Sequence, residues 1–397
     1  MDPTGRVVVV GASAAGLSVV QELRRLGYPG ELLLIGDEEH LPYDRPPLSK
    51  QVLTGAWEAD RVALTTVEKI ADLTVQARLG CRALALDADT RTVLLADGSS
   101  VDGSAVVIAT GCSPRQLSGS AELVGVHTLR TLADSQQLRG ELGAGRRVVV
   151  IGAGFLGMEI AAVAGGAGGI VTVVSEVAPM IRAVGTAVSG AIAELHREQG
   201  VQLLVGGAVD RLQERDGRAA GARLVDGTEL AADVVVVAIG AVPATDWLAG
   251  SGLTIDDGVV CDEGLRAGPG VFAVGDVARW PDSRSGRLVR VEHRMHATES
   301  GAVAAANIMG HDLELAPIPF WWSDQYAARI QAYGWPSPVA HLWQGNLADR
   351  KAVVLYSKGD LLTGALGWNS VKQLRAAREL LVRGVPLADV GPILPLP

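Results

Sequence analysis

The chain has 397 residues, of which 48% are hydrophobic and 20% are charged, so it can form packed cores and is not a disordered protein. At about 150 residues per domain, this length predicts two or three domains. The formal net charge of −9 argues against a dedicated nucleic-acid-binding protein, because such proteins depend on neutralising phosphates.

The three cysteines, Cys81, Cys112 and Cys261, are far apart and form no CxxC pair. They predict neither a disulfide framework nor a redox-active dithiol, and we expect no bound metal. The N-terminus begins with an acidic residue and passes directly into a valine run, and no uncharged stretch is long enough to cross a bilayer. These features predict a soluble, cytoplasmic protein without a signal peptide or a membrane partner.

Two segments, separated by about a third of the chain, share the pattern of a short hydrophobic strand, a glycine-rich turn and a helix. In such a turn the first glycine permits the sharp bend, the second lets the backbone approach a pyrophosphate, and the third lets the helix pack on the strand. The amides at the helix N-terminus then bind the phosphates. The repeat predicts two dinucleotide sites. The motif positions are Gly11, Ser13 and Gly16 in the first segment, and Gly152, Gly154 and Gly157 in the second.

In each segment an acidic residue stands about 20 positions after the glycine turn, and it is expected to bind a ribose hydroxyl. Asp37 follows the strand ELLLIG, and Glu176 follows the strand IVTVVS. Glu176 favours NADH, because a carboxylate repels the 2′-phosphate of NADPH. If Ser175 takes that position instead, Arg182 is close enough to bind the phosphate, and NADPH becomes the donor.

Three further segments combine stiff or buried backbone with polar residues. LPYDRPPLSK is stiffened by prolines and presents Arg45 and Lys50, either to a ligand or to solvent. VVIATG is a buried strand that ends in a turn of small residues at Thr110 and Gly111. GVFAVGDVA places Asp276 at a buried strand end, where it needs polar partners unless it caps the next helix.

With these segments, the chain resembles the two-dinucleotide flavoprotein reductases, and among them the ferredoxin reductases that serve cytochromes P450 and Rieske-type oxygenases. The resemblance covers essentially the whole chain and is most distinctive in LPYDRPPLSK, VFAVGDVARWP and PFWWSDQY. It implies an α/β fold with two Rossmann-like, three-layer dinucleotide-binding domains and a small α+β C-terminal domain. The expected domains are an FAD-binding domain at 1–115 and 240–318, an inserted NAD(P)H-binding domain at 116–239, and a C-terminal domain at 319–397.

The resemblance implies FAD at the first glycine motif. Lys50 would lie beside the flavin ring, Arg45 near the phosphates or the ring edge, and Asp276 on the ribitol hydroxyls. Trp322 would stack near the isoalloxazine, although both tryptophans of WWSDQ could instead be core residues. Arg130 would lie near FAD, although it could instead form an exposed ion pair. The residues expected to contact FAD are Gly11, Ser13, Ala14, Ala15, Gly16, Asp37, Arg45, Lys50, Ala83, Thr110, Gly111, Arg130, Gly275, Asp276, Glu292, His293 and Trp322.

The second motif is expected to bind NAD(P)H. Glu159 lies inside an otherwise apolar helix, which is costly unless the carboxylate is paired. The resemblance pairs it with Lys50 near flavin N5, so that Lys50 stabilises negative charge on reduced flavin and Glu159 meets the nicotinamide carboxamide. These two are the expected catalytic residues. The residues expected to contact NAD(P)H are Gly152, Gly154, Phe155, Leu156, Gly157, Glu159, Glu176, Arg182 and Gly240.

The segment VEHRMHATES departs from the resemblance, because Arg294 stands where the family has Trp and His296 where it has Asn, whereas Glu292 and His293 match. A basic stretch surrounds it on this acidic chain. We interpret the stretch either as a solvated loop or as a docking patch for an acidic ferredoxin. Its members are Arg279, Arg284, Arg287, Arg290 and Arg294.

The expected function is hydride transfer from NADH, or from NADPH, to FAD, followed by single-electron transfer to a transiently bound [2Fe-2S] ferredoxin. The protein is expected to be a monomer or a homodimer. The isolated cysteines exclude a disulfide reductase. Two alternatives remain: a reductase or oxidase with another acceptor, such as oxygen or a quinone, and a non-enzymatic NADH-sensing flavoprotein resembling apoptosis-inducing factor.

Overall fold

The computed structural model describes residues 4–120, 123–337 and 339–396. By their contacts the residues form two compact units, each assembled from three separate stretches of sequence. Unit 1 contains the residues up to Arg45, Ala59–Ser113 and Ala241–Pro319. Unit 2 contains Pro46–Glu58, Pro114–Gly240 and the residues from Phe320 onwards. The finer division into three domains stays a prediction.

Helices and strands alternate over residues 7–78 and 147–205, in the way that a doubly wound α/β chain requires. The helices are α1 (Ala14–Arg25), α2 (Val67–Asp72), α3 (Leu132–Glu141), α4 (Phe155–Gly166), α5 (Ile181–Glu198), α6 (Arg294–Ile308) and α7 (Val371–Arg383). The strands up to Pro114 are β1 (Val7–Val10), β2 (Leu32–Ile35), β3 (Val75–Arg78), β4 (Ala83–Asp87), β5 (Thr92–Leu95), β6 (Ser100–Asp102), β7 (Ala105–Ile108) and β8 (Cys112–Pro114). Those from Val126 to Pro243 are β9 (Val126–His127), β10 (Arg147–Ile151), β11 (Ile170–Ser175), β12 (Gln202–Val205), β13 (Val209–Arg215), β14 (Arg218–Leu224), β15 (Glu229–Ala231), β16 (Val234–Val237) and β17 (Ala241–Pro243). The remaining strands are β18 (Val259–Val260), β19 (Arg266–Gly268), β20 (Val271–Ala273), β21 (Ala278–Asp282), β22 (Arg287–Arg290), β23 (Phe320–Gln325), β24 (Ala328–Gly334), β25 (Val339–Asn346), β26 (Lys351–Lys358), β27 (Leu361–Trp368) and β28 (Leu394–Leu396).

Unit 1 is built on a six-stranded sheet with the order β19-β20-β7-β1-β2-β3. All neighbours are parallel except β19 and β20. The central strands consist of Val, Leu, Ile and Ala and are completely buried, as expected when both faces of a parallel sheet are covered. The chain leaves β1 to one side and returns at β7 on the other, so the carboxyl end of β1 is a topological switch point.

Unit 2 contains a second parallel sheet, with the order β12-β11-β10-β16-β9. β10 takes the central position that β1 has in unit 1, and α4 follows it. The core of this sheet consists of aliphatic residues, including Val149, Val174 and Val235, and extends to the antiparallel sheet β13-β14-β15. The repeated strand–turn–helix pattern in the sequence therefore corresponds to two Rossmann-like sheets.

The segment from Phe320 forms an antiparallel sheet with the order β23-β24-β27-β26-β25-β28, on which α7 packs. Alternate residues of β23 are buried, so Trp321, Ser323 and Gln325 lie on one face and Trp322 on the other. This confirms the predicted fold class, which is α/β with two Rossmann-like sheets and an α+β C-terminal part.

Helix α5 is interrupted near its start by Gly185, which has the non-helical angles φ 74° and ψ 175°. The interruption separates one short turn, from Met180 to Val184, from the rest of the helix. At the end of this turn, the hydroxyl of the buried Tyr356 donates to the carbonyl oxygen of Val184 at 2.6 Å.

Among the described helices, none combines the length and the apolar character needed to cross a membrane.

Candidate active site

The first glycine turn has the geometry of a dinucleotide-binding loop. Gly11 has φ +122°, and a Cβ atom there would lie 2.1 Å from the carbonyl oxygen of Ala109. A Cβ atom at Gly16 would lie 2.0 Å from the carbonyl oxygen of Gly11. Both positions therefore require glycine for reasons internal to the fold. Ser13 is the N-cap residue of α1, and its hydroxyl makes no capping hydrogen bond.

The second turn repeats this geometry at Gly152, which has φ +106°, and at Gly157, whose Cβ atom would lie 2.0 Å from the carbonyl oxygen of Gly152. Gly154 is different, because its φ is −75° and a Cβ atom there would meet nothing within 4 Å. Neither the backbone nor the packing requires glycine at this position. The open space at the N-terminus of α4, where no acidic residue stands in the first turn, fits a pyrophosphate.

Asp276 lies close to the helix that follows the first glycine turn. It belongs to the 3₁₀ turn Gly275–Val277 that directly follows β20. A Cβ atom at Gly275, which has φ +69°, would lie 3.0 Å from the Cβ atom of Ala15 in α1. The carbonyl oxygen of Asp276 accepts a hydrogen bond of 3.2 Å from Arg290. The turn is thereby held against the helix whose N-terminus would receive the phosphates.

Arg45, which is expected to lie near FAD, is held by neighbours from its own segment of the chain. Arg45 forms an ion pair of 2.6 Å with Glu38, which also accepts a hydrogen bond from the hydroxyl of Tyr43. Burial acts to lower the pKa of Arg45, but the opposing effects of Tyr43, Glu38 and Asp276 are larger together, so the pKa is raised. Asp37 itself is exposed.

The turn after β7 also has the expected form. The hydroxyl of Thr110 donates to the carbonyl oxygen of Ala244 at 2.9 Å, and Gly111 has φ +68°. Ala83 begins β4 and is buried.

The arginines of the basic stretch are mostly matched by acids within unit 1. Arg279 pairs with Asp256 at 2.5 Å, Arg290 with Glu292 at 2.6 Å, and Arg294 with Asp44. Arg284 and Arg287 are exposed, and neither forms an ion pair with any described residue. The stretch therefore presents less free positive charge than the sequence suggests.

Two histidines stand at the start of α6: His293, its N-cap, is half-buried, and His296, in its first turn, is buried. Burial lowers the pKa of His293 and of His296 to about 4, although Asp276 acts in the opposite direction. His296 stacks on Trp280, with ring centroids 4.5 Å apart. The departure at His296 thus has a structural role in the packing of α6.

In unit 2 the predicted ion pair is formed. The ammonium of Lys50 lies 2.6 Å from Oε2 of Glu159, and the two side chains are only 10% and 5% exposed. The hydroxyl of Ser49 donates to the same carboxylate oxygen at 2.5 Å. The 3₁₀ turn Pro46–Ser49 positions both partners, which explains why the proline-rich segment ends in Ser-Lys.

The other oxygen of Glu159 accepts a hydrogen bond of 2.6 Å from the hydroxyl of Ser323. Sequence reasoning missed Ser49 and Ser323. The signal that could have found Ser323 is the alternation of WWSDQ, because it places this serine on the same face as the buried Trp321. Trp321 contacts Phe155 of α4 edge-to-face at 4.6 Å, whereas Trp322 lies on the opposite face beside Phe320.

The remaining expected residues of the dinucleotide sites are found in unit 2. Glu176 follows β11 and is exposed, as is Arg182 in the short turn before Gly185. Leu156 is half-buried in α4, and Gly240, with φ +100°, follows β16. Arg130 precedes α3, and its backbone amide donates to Asp134.

Comparisons with known proteins identify the family of this chain. The family model described as pyridine nucleotide-disulphide oxidoreductase matches residues 5–301, and the reductase C-terminal model matches residues 320–390. Rhodocoxin reductase from Rhodococcus erythropolis is 34% identical over 385 residues, which cover 96% of this chain and 90% of that protein. The ferredoxin–NAD(+) reductase component of the anthranilate 1,2-dioxygenase system from Burkholderia cepacia is 35% identical, with 95% and 94% covered.

Among solved structures, putidaredoxin reductase in its covalent complex with putidaredoxin has a TM-score of 0.92 and 32% identity, and the match covers 96% of this chain and 94% of that one. The resemblance stated from the sequence is thus confirmed. The chain belongs to the pyridine nucleotide-disulphide oxidoreductase family, among the ferredoxin reductases, which are oxidoreductases that use FAD and NADH.

Proposed function

We propose that this protein oxidises NADH and passes the electrons one at a time to an iron–sulfur ferredoxin that serves a P450 or a Rieske-type oxygenase. The observation that carries the proposal is the buried Lys50–Glu159 pair beside the second glycine turn, in a chain whose three cysteines form no disulfide. Cysteines so far apart in the sequence offer no redox-active dithiol for a disulfide substrate, whereas a one-electron acceptor needs none. The relative named as the ferredoxin–NAD(+) reductase component of the anthranilate 1,2-dioxygenase system supports the same acceptor class.

When bound, FAD supplies the chemistry of accepting a hydride and releasing single electrons. The side chains of this chain have simpler tasks. The amides at the start of α1 and α4 bind the two pyrophosphates, and Asp276 binds the ribitol hydroxyls of FAD. Glu176 binds the adenosine ribose of NADH and repels a 2′-phosphate, which favours NADH.

Lys50 and Glu159 act on the reacting groups. The positive charge of Lys50 favours a reduced flavin ring, and Glu159 accepts a hydrogen bond from the carboxamide of the nicotinamide. Pro46 and Ser49 offer Lys50 two further acceptors, at 3.2 and 3.4 Å, besides Glu159. Because all three acceptors come from the protein, Lys50 acts through its charge.

The candidate docking site for the electron acceptor contains two of the five arginines of the basic stretch. Arg284 and Arg287 lie in the turn and second strand of the β21–β22 hairpin and are exposed without ion pairs in the described ranges. We propose that these two arginines attract an acidic ferredoxin, because unpaired exposed charge raises the rate of encounter.

The first test is an anaerobic titration of the purified flavoprotein with NADH, followed by mixing with a [2Fe-2S] ferredoxin, oxygen or a quinone. Stoichiometric bleaching and fastest turnover with ferredoxin are expected. Faster turnover with oxygen or quinone would establish the other-acceptor alternative. Slow turnover with every acceptor, together with a long-lived charge-transfer complex, would establish the NADH-sensing alternative.

The docking proposal has its own test. Arg284→Glu with Arg287→Glu should slow ferredoxin reduction and weaken its salt dependence while reduction by NADH is unchanged. The matched control is Glu194→Lys, a charge reversal at an exposed residue of α5. An unchanged salt dependence in the arginine variant would refute the docking site.

A further inference from the structure

A chain of hydrogen bonds connects Glu159 to the interior of unit 2. The hydroxyl of Ser323 donates to Oε1 of Glu159 at 2.6 Å, and the amide nitrogen of Gln325 donates to that hydroxyl at 3.0 Å. Nε2 of His196 lies 2.9 Å from the amide oxygen of Gln325. Ser323, Gln325 and His196 are completely buried.

The bonds of this chain all point toward the carboxylate. A serine hydroxyl has one hydrogen, and since Gln325 donates to the oxygen of Ser323, that hydrogen goes to Glu159, which can only accept. The amide oxygen of Gln325 must also accept, so His196 donates from Nε2. Burial lowers the pKa of His196 to about 4, although its bond to Gln325 acts to raise it. The imidazole is therefore neutral at pH 7 and carries its single proton on Nε2.

Gln325 also reaches the second glycine turn. Its amide nitrogen lies 3.2 Å from the sulfur of Met180, and the backbone amide of Met180 donates to the carbonyl oxygen of Ala153 at 2.8 Å. Ala153 stands between the first two glycines of the turn. One side chain therefore contacts both the serine that holds Glu159 and the residue that supports the dinucleotide loop.

We propose that Ser323 and Gln325 are positioning residues for the reaction, because they fix the orientation of the Glu159 carboxylate relative to the loop that binds the dinucleotide. The proposal rests on the proposed function, since it assigns the network to the step in which Glu159 meets the nicotinamide.

The expected effect is on orientation more than on affinity. Without the hydroxyl of Ser323, Oε1 of Glu159 is a buried charged oxygen without its donor, and the carboxylate turns to find another partner. The glycine turn and Glu176 still bind the phosphates and the adenosine ribose. The dinucleotide should therefore bind nearly as well, with its nicotinamide less well placed.

The test uses the FAD-loaded full-length protein with Ser323→Ala, Ser323→Thr and Gln325→Met. The matched control is Ser357→Ala, which removes a buried serine of the same antiparallel sheet that bonds to His341 instead of to this network. Three quantities are measured: the limiting rate of anaerobic flavin reduction by NADH, the dissociation constant of NAD⁺, and the long-wavelength charge-transfer absorbance of the complex.

For Ser323→Ala and Gln325→Met we expect about a tenfold lower limiting rate, a weaker charge-transfer band and a dissociation constant changed by less than about threefold. Ser323→Thr, which keeps the hydroxyl, should recover most of the rate and the band, and Ser357→Ala should change nothing.

Two results would overturn the positioning role. One is a wild-type rate and charge-transfer band in Ser323→Ala and Gln325→Met. The other is an equal loss in Ser357→Ala, which would show a general effect of buried serines. If NADH does not reduce the wild-type flavin, the proposed function itself fails, and that outcome is seen before any variant is compared.

Discussion

The imidazole of His296 lies flat against the indole of Trp280, with ring centroids 4.5 Å apart and an angle of 10° between the planes. Both imidazole nitrogens are buried and have no hydrogen-bond partner among the residues that the structure describes. Burial lowers the pKa of His296 to about 4. The side chain therefore contributes the area of its ring, while its nitrogens only add a cost of desolvation.

His296→Phe should make the protein less sensitive to acid. Between pH 6.5 and 4 the unfolded chain binds a proton at this histidine and the folded protein does not, so the free energy of unfolding falls as the pH falls. The phenyl ring keeps the stack and removes the titration. In urea unfolding, the decrease in the free energy of unfolding from pH 7 to pH 5 should be smaller in this variant than in the wild type by about 2 kcal/mol. His311→Gln, at an exposed histidine, is the control, and equal losses in His296→Phe and the wild type would contradict the assignment.

Gly154→Ala and Gly157→Ala should separate ligand binding from folding. The added methyl group at position 154 meets no protein atom, so stability and FAD content should remain those of the wild type while the dissociation constant of NAD⁺ rises about tenfold or more. At position 157 the methyl group would lie 2.0 Å from a backbone oxygen, so Gly157→Ala should lose stability first. Thermal unfolding and NAD⁺ titration measure the two effects. Normal NAD⁺ affinity in Gly154→Ala would place the pyrophosphate elsewhere.

Breaking the Lys50–Glu159 pair from one side should be worse for stability than removing both charges. Lys50→Met leaves a buried carboxylate with only its two serine donors, and we expect a loss of about 3 kcal/mol in the free energy of unfolding. The double variant Lys50→Met with Glu159→Gln should recover part of this loss. In each of these variants, NADH should reduce the bound flavin more slowly than in the wild type. Chemical denaturation followed by the double-mutant cycle gives the coupling, and strictly additive losses would mean that the pair is not stabilising.

Glu176→Gln should shift the preference toward NADPH. The carboxylate is exposed after β11, and its removal ends the repulsion of a 2′-phosphate while Arg182 remains available to bind one. The ratio of kcat/KM for NADPH to that for NADH should rise about tenfold. Glu194→Gln removes a similar exposed charge from α5 and serves as the control. An unchanged ratio in Glu176→Gln would point to Ser175 as the residue that reads the ribose.

The parts of the molecule that were predictable from sequence are those in which one local signal has one physical cause. The valine runs predict buried parallel strands, and Gly11 and Gly152 predict sharp turns. The structure has both, and each of these glycines has a positive φ. Glu159 was predictable as half of a pair, because an acid in an apolar helix needs a partner, and the family resemblance identified that partner as Lys50.

The network around Glu159 was not predictable in the same way. Ser49, Ser323, Gln325 and His196 come from segments that are far apart in the sequence, and serine or glutamine is common enough that neither draws attention alone. The arginines of the basic stretch show the opposite error. Five close positive charges suggested a free patch, but Asp44, Asp256 and Glu292 neutralise three of them, and only the fold brings these acids near.

The short turn from Met180 to Val184 connects the loop that carries Arg182 to the antiparallel sheet of unit 2. Gln325 bonds to the first residue of this turn, and Tyr356 bonds to the last, so two strands of the antiparallel sheet hold the loop that carries Arg182. A dinucleotide that orders this loop must, by thermodynamic reciprocity, also stabilise those strands against local opening. Amide hydrogen exchange in β23 and β26 should therefore slow when NAD⁺ is added, in strands that lie outside the sheet of the glycine turn.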